Sequence, residues 1–154
     1  MAERPISNPT ILAVFSARED RTSLASIFAQ SNWKLRFTRA LPQTQTLLSR
    51  SSVGVVISEA CLSDGHCWKE LLHEIQKLQD PPPLIVADRL ADERLWAEAL
   101  NLGAYDLLAK PFDPREVLYA VTTACRHSET EHEMTPVRKP AMTAEMRVSA
   151  AGGR

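Results

Sequence analysis

Groups able to do chemistry gather at the ends of short apolar runs. Ser16 follows Thr10-Ile11-Leu12-Ala13-Val14-Phe15, and Ser58-Glu59 follows Val53-Gly54-Val55-Val56-Ile57. Asp88 follows Leu84-Ile85-Val86-Ala87, and Ala109-Lys110 follows Tyr105-Asp106-Leu107-Leu108. A carboxylate and an ammonium about 4 Å apart attract by about 4 kcal/mol at an effective dielectric of ~20, and desolvation cancels much of that. Glu59 is therefore expected to pair with Lys110. Asp88 is expected either to share that lysine or to cap the helix that follows.

Other chemistries find no support. Cys61, His66, Cys67 and His73 lie close together, but their spacing is not that of a zinc site. Cys67 is expected to pack and His73 to be solvated on a helix. Ser16 and Ser58 lack a base and an orienting group at suitable positions, so they read as cap and loop residues. Only five glycines are present, two of them near the end, and none builds a phosphate loop. The three cysteines, odd in number, suit free thiols in a reducing cytoplasm. A net charge of −1 gives no reason to expect nucleic acid or a membrane surface as partner. No signal peptide is expected, because no apolar stretch of adequate length follows Met1-Ala2-Glu3-Arg4-Pro5, and no window reaches the roughly 18 apolar residues of a membrane span.

The elements that must position these groups follow from patterning. Continuous apolar runs at 10–15, 53–57 and 84–87 predict strands buried on both faces of a parallel sheet. Trp33-Lys34-Leu35-Arg36-Phe37-Thr38 alternates and predicts an edge strand, and residues 105–108 predict a last short strand. Between them, Ser16-Ala17-Arg18-Glu19 reads as a capping box opening a helix that carries Leu24, Ile27 and Phe28. A short helix is expected around Pro42 to Leu48. Trp68, Leu71, Leu72, Ile75 and Leu78 form a helical stripe, and Asp92 to Leu102 forms another helix, stopped by Gly103. Asp113-Pro114-Arg115-Glu116 opens the last helix. Five strands alternating with five helices predict an α/β domain over residues 10–127, doubly wound around a five-stranded parallel sheet. Residues 1–9 read as a lead-in and 128–154 as a flexible tail. In such a sheet, residues 15–19, 58–66, 87–91 and 109–113 face one crevice beyond the strand ends.

Gly103-Ala104-Tyr105-Asp106-Leu107-Leu108-Ala109-Lys110-Pro111-Phe112 resembles the last active-site segment of two-component response-regulator receiver domains. Glu59-Ala60-Cys61-Leu62-Ser63-Asp64-Gly65 has the spacing of that family's acceptor aspartate to its Asp-Gly loop. The order and length of the β-α units match as well, over residues 10–127. The resemblance implies a flavodoxin-like fold in which a lysine steadies a phosphoaspartate beside a magnesium ion. Lys110 fills the lysine position, and the bond to Pro111 is expected to be cis, as it often is in the family.

The rest of the carry-over fails. The acidic pair that would hold magnesium aligns with Phe15 and Ser16, so metal binding is expected to be lost. The acceptor aligns with Glu59, one methylene too long, and a misplacement of about 1 Å can slow chemistry ~10²-fold. The switch hydroxyl aligns with Asp88 and the switch aromatic with Leu107. The expectation is a stand-alone, divergent, non-enzymatic receiver without cofactor, acting through protein contacts and followed by no output domain. Its partner would be a signalling protein, a histidine kinase relative, or a second copy meeting it through the fourth helix, fifth strand and fifth helix. On that surface Trp96, Leu107 and Tyr119 are candidates, with Trp96 and Tyr119 alternatively at the core edge. Two other readings stay open: phosphorylation at a relocated acceptor, Asp88 or Asp64, and a flavodoxin-like module binding a small molecule.

Overall fold

A computed structural model describes residues 10–131, with side chains to residue 127. The elements alternate strictly: β1 (Thr10–Val14), α1 (Arg18–Phe28), β2 (Lys34–Thr38), α2 (Leu41–Arg50), β3 (Val55–Glu59), α3 (Trp68–Gln76), β4 (Leu84–Asp88), α4 (Glu93–Leu102), β5 (Asp106–Ala109) and α5 (Pro114–Glu131). The strands form one parallel sheet in the order β2-β1-β3-β4-β5. The expected doubly wound α/β architecture is the observed one.

Strand periodicity explains why both faces are covered. Successive side chains leave opposite faces of a strand, so an unbroken apolar run supplies two cores at once. Leu12, Val14, Val56, Leu84, Val86 and Leu107 pack with Leu41 and Leu48 of α2, Trp68 and Leu71 of α3 and Ala99 of α4. Ile11, Ala13, Phe15, Ile57, Ala87 and Leu108 pack with Leu24 and Phe28 of α1 and Val117, Val121 and Ala124 of α5. The alternating segment forms β2, an edge strand whose Lys34 and Arg36 reach solvent.

Helix ends depart from expectation in two places. The residue capping α1 is Ala17, which offers no side-chain bond, because the hydroxyl of Ser16 is directed at Glu59 instead. Helix α5 continues to Glu131, past the expected boundary at 127; the rest of the expected tail and the lead-in 1–9 lie outside the described residues. Other caps hold. Asp92 Oδ1 accepts from the Leu95 amide at 2.9 Å, and Gly103 closes α4 with φ 116°. Asp113 Oδ1 accepts from the Arg115 amide at 3.0 Å, with Pro114 opening the helix.

Candidate functional site

The carboxyl ends of β1, β3, β4 and β5 converge as the topology requires. At the end of β5 the Lys110 amide donates to the Asp88 carbonyl at 3.2 Å, and the Lys110–Pro111 bond is cis as expected. This turn sends the lysine across the top of the sheet toward α1. Its Nζ donates to Asp20 Oδ2 at 2.8 Å, with the two side chains only 14% and 16% exposed. The expected direct Glu59–Lys110 pair is therefore replaced by an Asp20–Lys110 pair. Lys110 acts on Glu59 only through space.

Phe15 extends β1 by one hydrogen bond, its amide donating to the Thr38 carbonyl at 3.0 Å. Its side chain is fully buried. The ring meets Phe112 edge to face, with centroids 5.9 Å apart and planes at 84°, a favourable arrangement of ring quadrupoles. Lys110 Nζ lies 5.5 Å from the Phe15 ring centre, within range of a cation–π attraction. The ammonium is thus held by one carboxylate and one aromatic face.

Glu59 closes β3 and is nearly buried. Its Oε2 accepts from both the amide and the hydroxyl of Ser16, each at 3.1 Å. Burial pushes the Glu59 carboxyl above its ordinary range, and the Ser16 bonds and the Lys110 charge only partly offset this; Asp20 adds to the rise. The chemical meaning of Ser16 is now plain. It is the ligand of a buried carboxylate rather than a helix cap.

Two further acids are engaged in turns. Asp88 Oδ2 accepts from the Leu90 amide at 3.0 Å, so Asp88 shapes the loop before α4 and neither shares Lys110 nor caps the helix. Asp64 Oδ2 accepts from the Leu41 amide at 3.1 Å and lies 3.0 Å from His66 Nδ1, while Oδ1 accepts from the His66 amide. Desolvation works against the charged Asp64 but is outweighed by the His66 and Leu41 bonds, leaving its carboxyl below the usual range. The bond to Asp64 raises the His66 imidazole in turn. Asp64 thereby ties the β3–α3 loop to the start of α2.

Beside the Asp20–Lys110 pair, an open groove of about 790 Å³ runs past Arg18, Asp20, Ser23, Arg89, Lys110 and Phe112. The candidate interface residues separate sharply. Leu107 is in the core at 7% exposure and cannot be a contact, because β5 directs it into the layer beneath α4. Trp96 is half-buried at the edge of that layer, its Nε1 buried without a hydrogen-bond partner among the described residues. Tyr119 is 61% exposed.

The residue missed by sequence reasoning is Asp20. Its only sequence signal is position: it lies in the first turn of α1, the helix that starts at the crevice, where an acid also suits the helix dipole.

No family model matches the chain. Over 78 residues it is 33% identical to the transcriptional regulatory protein FixJ of Bradyrhizobium diazoefficiens, an alignment covering 51% of this chain and 38% of that protein. Over 102 residues it is 28% identical to the response regulator protein PilR of Pseudomonas aeruginosa, covering 66% of this chain and 23% of that one. The chain therefore spans well under half the length of these relatives. Among solved structures, the signal receiver domain of an HD domain-containing protein from Pseudomonas fluorescens superposes with a TM-score of 0.76. Its sequence identity is 30%, over 86% of this chain and 97% of that domain.

Proposed function

The chain belongs to the receiver domains of response regulators, and from that premise we propose that it signals without phosphate, through contacts with another protein. The observation that carries this reading is the Lys110 environment. The ammonium that would meet an incoming phosphoryl group is paired with Asp20 and covered by the Phe15 ring.

The residues present do not fit a magnesium ion. That ion favours near-octahedral oxygen ligands with carboxylate help. Phe15 offers a buried ring, the Ser16 hydroxyl donates to Glu59, and Asp20 is bonded to the lysine. The Glu59 carboxylate is moreover already engaged by the amide and hydroxyl of Ser16, and burial raises its carboxyl above the ordinary range. The relocated acceptors fare no better as proposals, since Asp64 and Asp88 both hold backbone amides of their own loops.

In this reading the protein is non-enzymatic and cytoplasmic. No helix among the described residues is long and apolar enough to cross a membrane. Its partner is a signalling protein, a kinase relative, or a second copy. On the α4–β5–α5 side the exposed aromatic available for such a contact is Tyr119.

The test is intact mass after incubation with acetyl phosphate and magnesium, beside a conventional receiver. The expected result is an unchanged mass with a labelled control. A phosphoryl increment on this chain overturns the reading, and mapping it to Glu59, Asp64 or Asp88 identifies the acceptor.

A further inference from the structure

The loop between β3 and α3 doubles back on itself. The Leu62 amide donates to the His66 carbonyl at 2.8 Å, and the Trp68 amide donates to the Ala60 carbonyl at 2.9 Å. These two bonds bracket Cys61 and Cys67, which face each other as an antiparallel bridge. In such a non-hydrogen-bonded pair the Cα atoms stand about 4.5 Å apart and both side chains leave the same face. Disulfides span Cα separations of about 4.4–6.8 Å. Cys61 is exposed and Cys67 partly so, hence both are open to a reagent. Cys125 packs on the opposite side of the sheet and cannot join them.

We propose that Cys61 and Cys67 form a dithiol couple that closes to a disulfide by exchange with a small-molecule disulfide such as glutathione disulfide. The thiolate of the more exposed Cys61 attacks one sulfur of the reagent, forming a mixed disulfide and releasing one thiol. The thiolate of Cys67 then attacks the Cys61 sulfur, closing the protein disulfide and releasing the second thiol. The protein loses two electrons and two protons, and the reagent gains them.

The ring so closed encloses the segment that ties this loop to α2. Ser63 Oγ donates to the Arg39 carbonyl at 3.0 Å, and Asp64 accepts from the Leu41 amide. The same loop begins directly after Glu59. Oxidation stiffens this connection and reduction releases it, which gives the domain a chemical input independent of phosphate. The couple rests on the backbone register and holds whether or not the domain is phosphorylated.

The full chain is equilibrated across mixtures of reduced and oxidised glutathione, acid-quenched, alkylated with iodoacetamide and mapped by peptide mass. The expected result is that Cys61 and Cys67 lose alkylation together, from complete to nearly absent, and are recovered as one linked peptide. The Cys61→Ser chain gives no such peptide. A second expected result is slower amide exchange at Leu62 and Trp68 in the oxidised parent and no slowing in Cys61→Ser. Separate glutathione adducts, chains linked to each other, or full alkylation in the most oxidising mixture each overturn the couple. Unchanged exchange in a linked chain overturns the stiffening.

Discussion

Two carboxyl groups near Lys110 behave differently, and each can be perturbed alone. Asp20 supplies a charged hydrogen bond in a setting that is mostly screened from water. Bonds of that kind contribute about 1.5–3 kcal/mol. Asp20→Asn and Lys110→Met are each expected to destabilise the chain by about that amount, and together by less than the sum. A coupling of about 0.5–3 kcal/mol in a denaturation cycle is the expected reading; purely additive losses would show the pair contributes nothing. Glu59 behaves in the opposite sense. Its folded carboxyl lies above the ordinary range through burial, so the folded state keeps this proton longer than the unfolded chain. The associated stability is present below the unfolded carboxylate value and is lost as pH rises through the folded one. Glu59→Gln keeps an acceptor for Ser16 without the charge. It is expected to melt above the parent at pH 8, with the difference fading on acidification. A variant that melts below the parent at pH 8 contradicts this account of the site.

At the scale of elements, the loops rather than the strands carry the individuality of this domain. Strands β1, β3 and β4 are short and mostly apolar, as suits a sheet covered on both sides, except that β3 ends in the buried Ser58 and Glu59. The loops after β1 and β5 instead reach other elements, with Ser16 bonded to Glu59 at the end of β3 and Lys110 to Asp20 of α1. The end of α4 depends on a single glycine. Gly103 has φ 116°, and an added Cβ would lie 2.6 Å from Gln76 Nε2, itself donating to the Leu102 carbonyl at 3.4 Å. Placing a side chain at positive φ costs about 1–2 kcal/mol. Gly103→Ala is expected to lower stability by about this amount in urea denaturation, and the strain to be local to the α4–β5 junction. An unchanged midpoint would show that the junction relaxes freely.

For the whole molecule, the proposed phosphate-independent role assigns output to a surface. The α4–β5–α5 side offers Tyr119 in solvent and Trp96 at its rim, with Leu107 withdrawn into the core. Exposed aromatics are characteristic anchors of protein contacts. If a second copy is the partner, the parent is expected to sediment as a dimer at micromolar concentration and Tyr119→Ser as a monomer. A parent that stays monomeric over a hundredfold range of concentration leaves the contact to a different protein. The proposed cysteine couple would supply an input that does not depend on phosphate.

The alternation of apolar runs and helical stripes was sufficient to determine the elements, their order and the parallel sheet, because those depend on periodicity and chain connectivity. The Lys-Pro-Phe turn was also legible, as was the absence of an acid at Phe15 and Ser16, since both are matters of residue type at a given spacing. The partners of Lys110 and Glu59 were not. Both choices depend on where the first turn of α1 places Asp20 and Ser16 relative to the strand ends, and a few ångströms decide between competing charges. Leu107 reads the same in sequence whether it faces solvent or core, and only the direction of β5 decided it. The facing of Cys61 and Cys67 likewise required the backbone register of the loop, which no spacing of two cysteines contains.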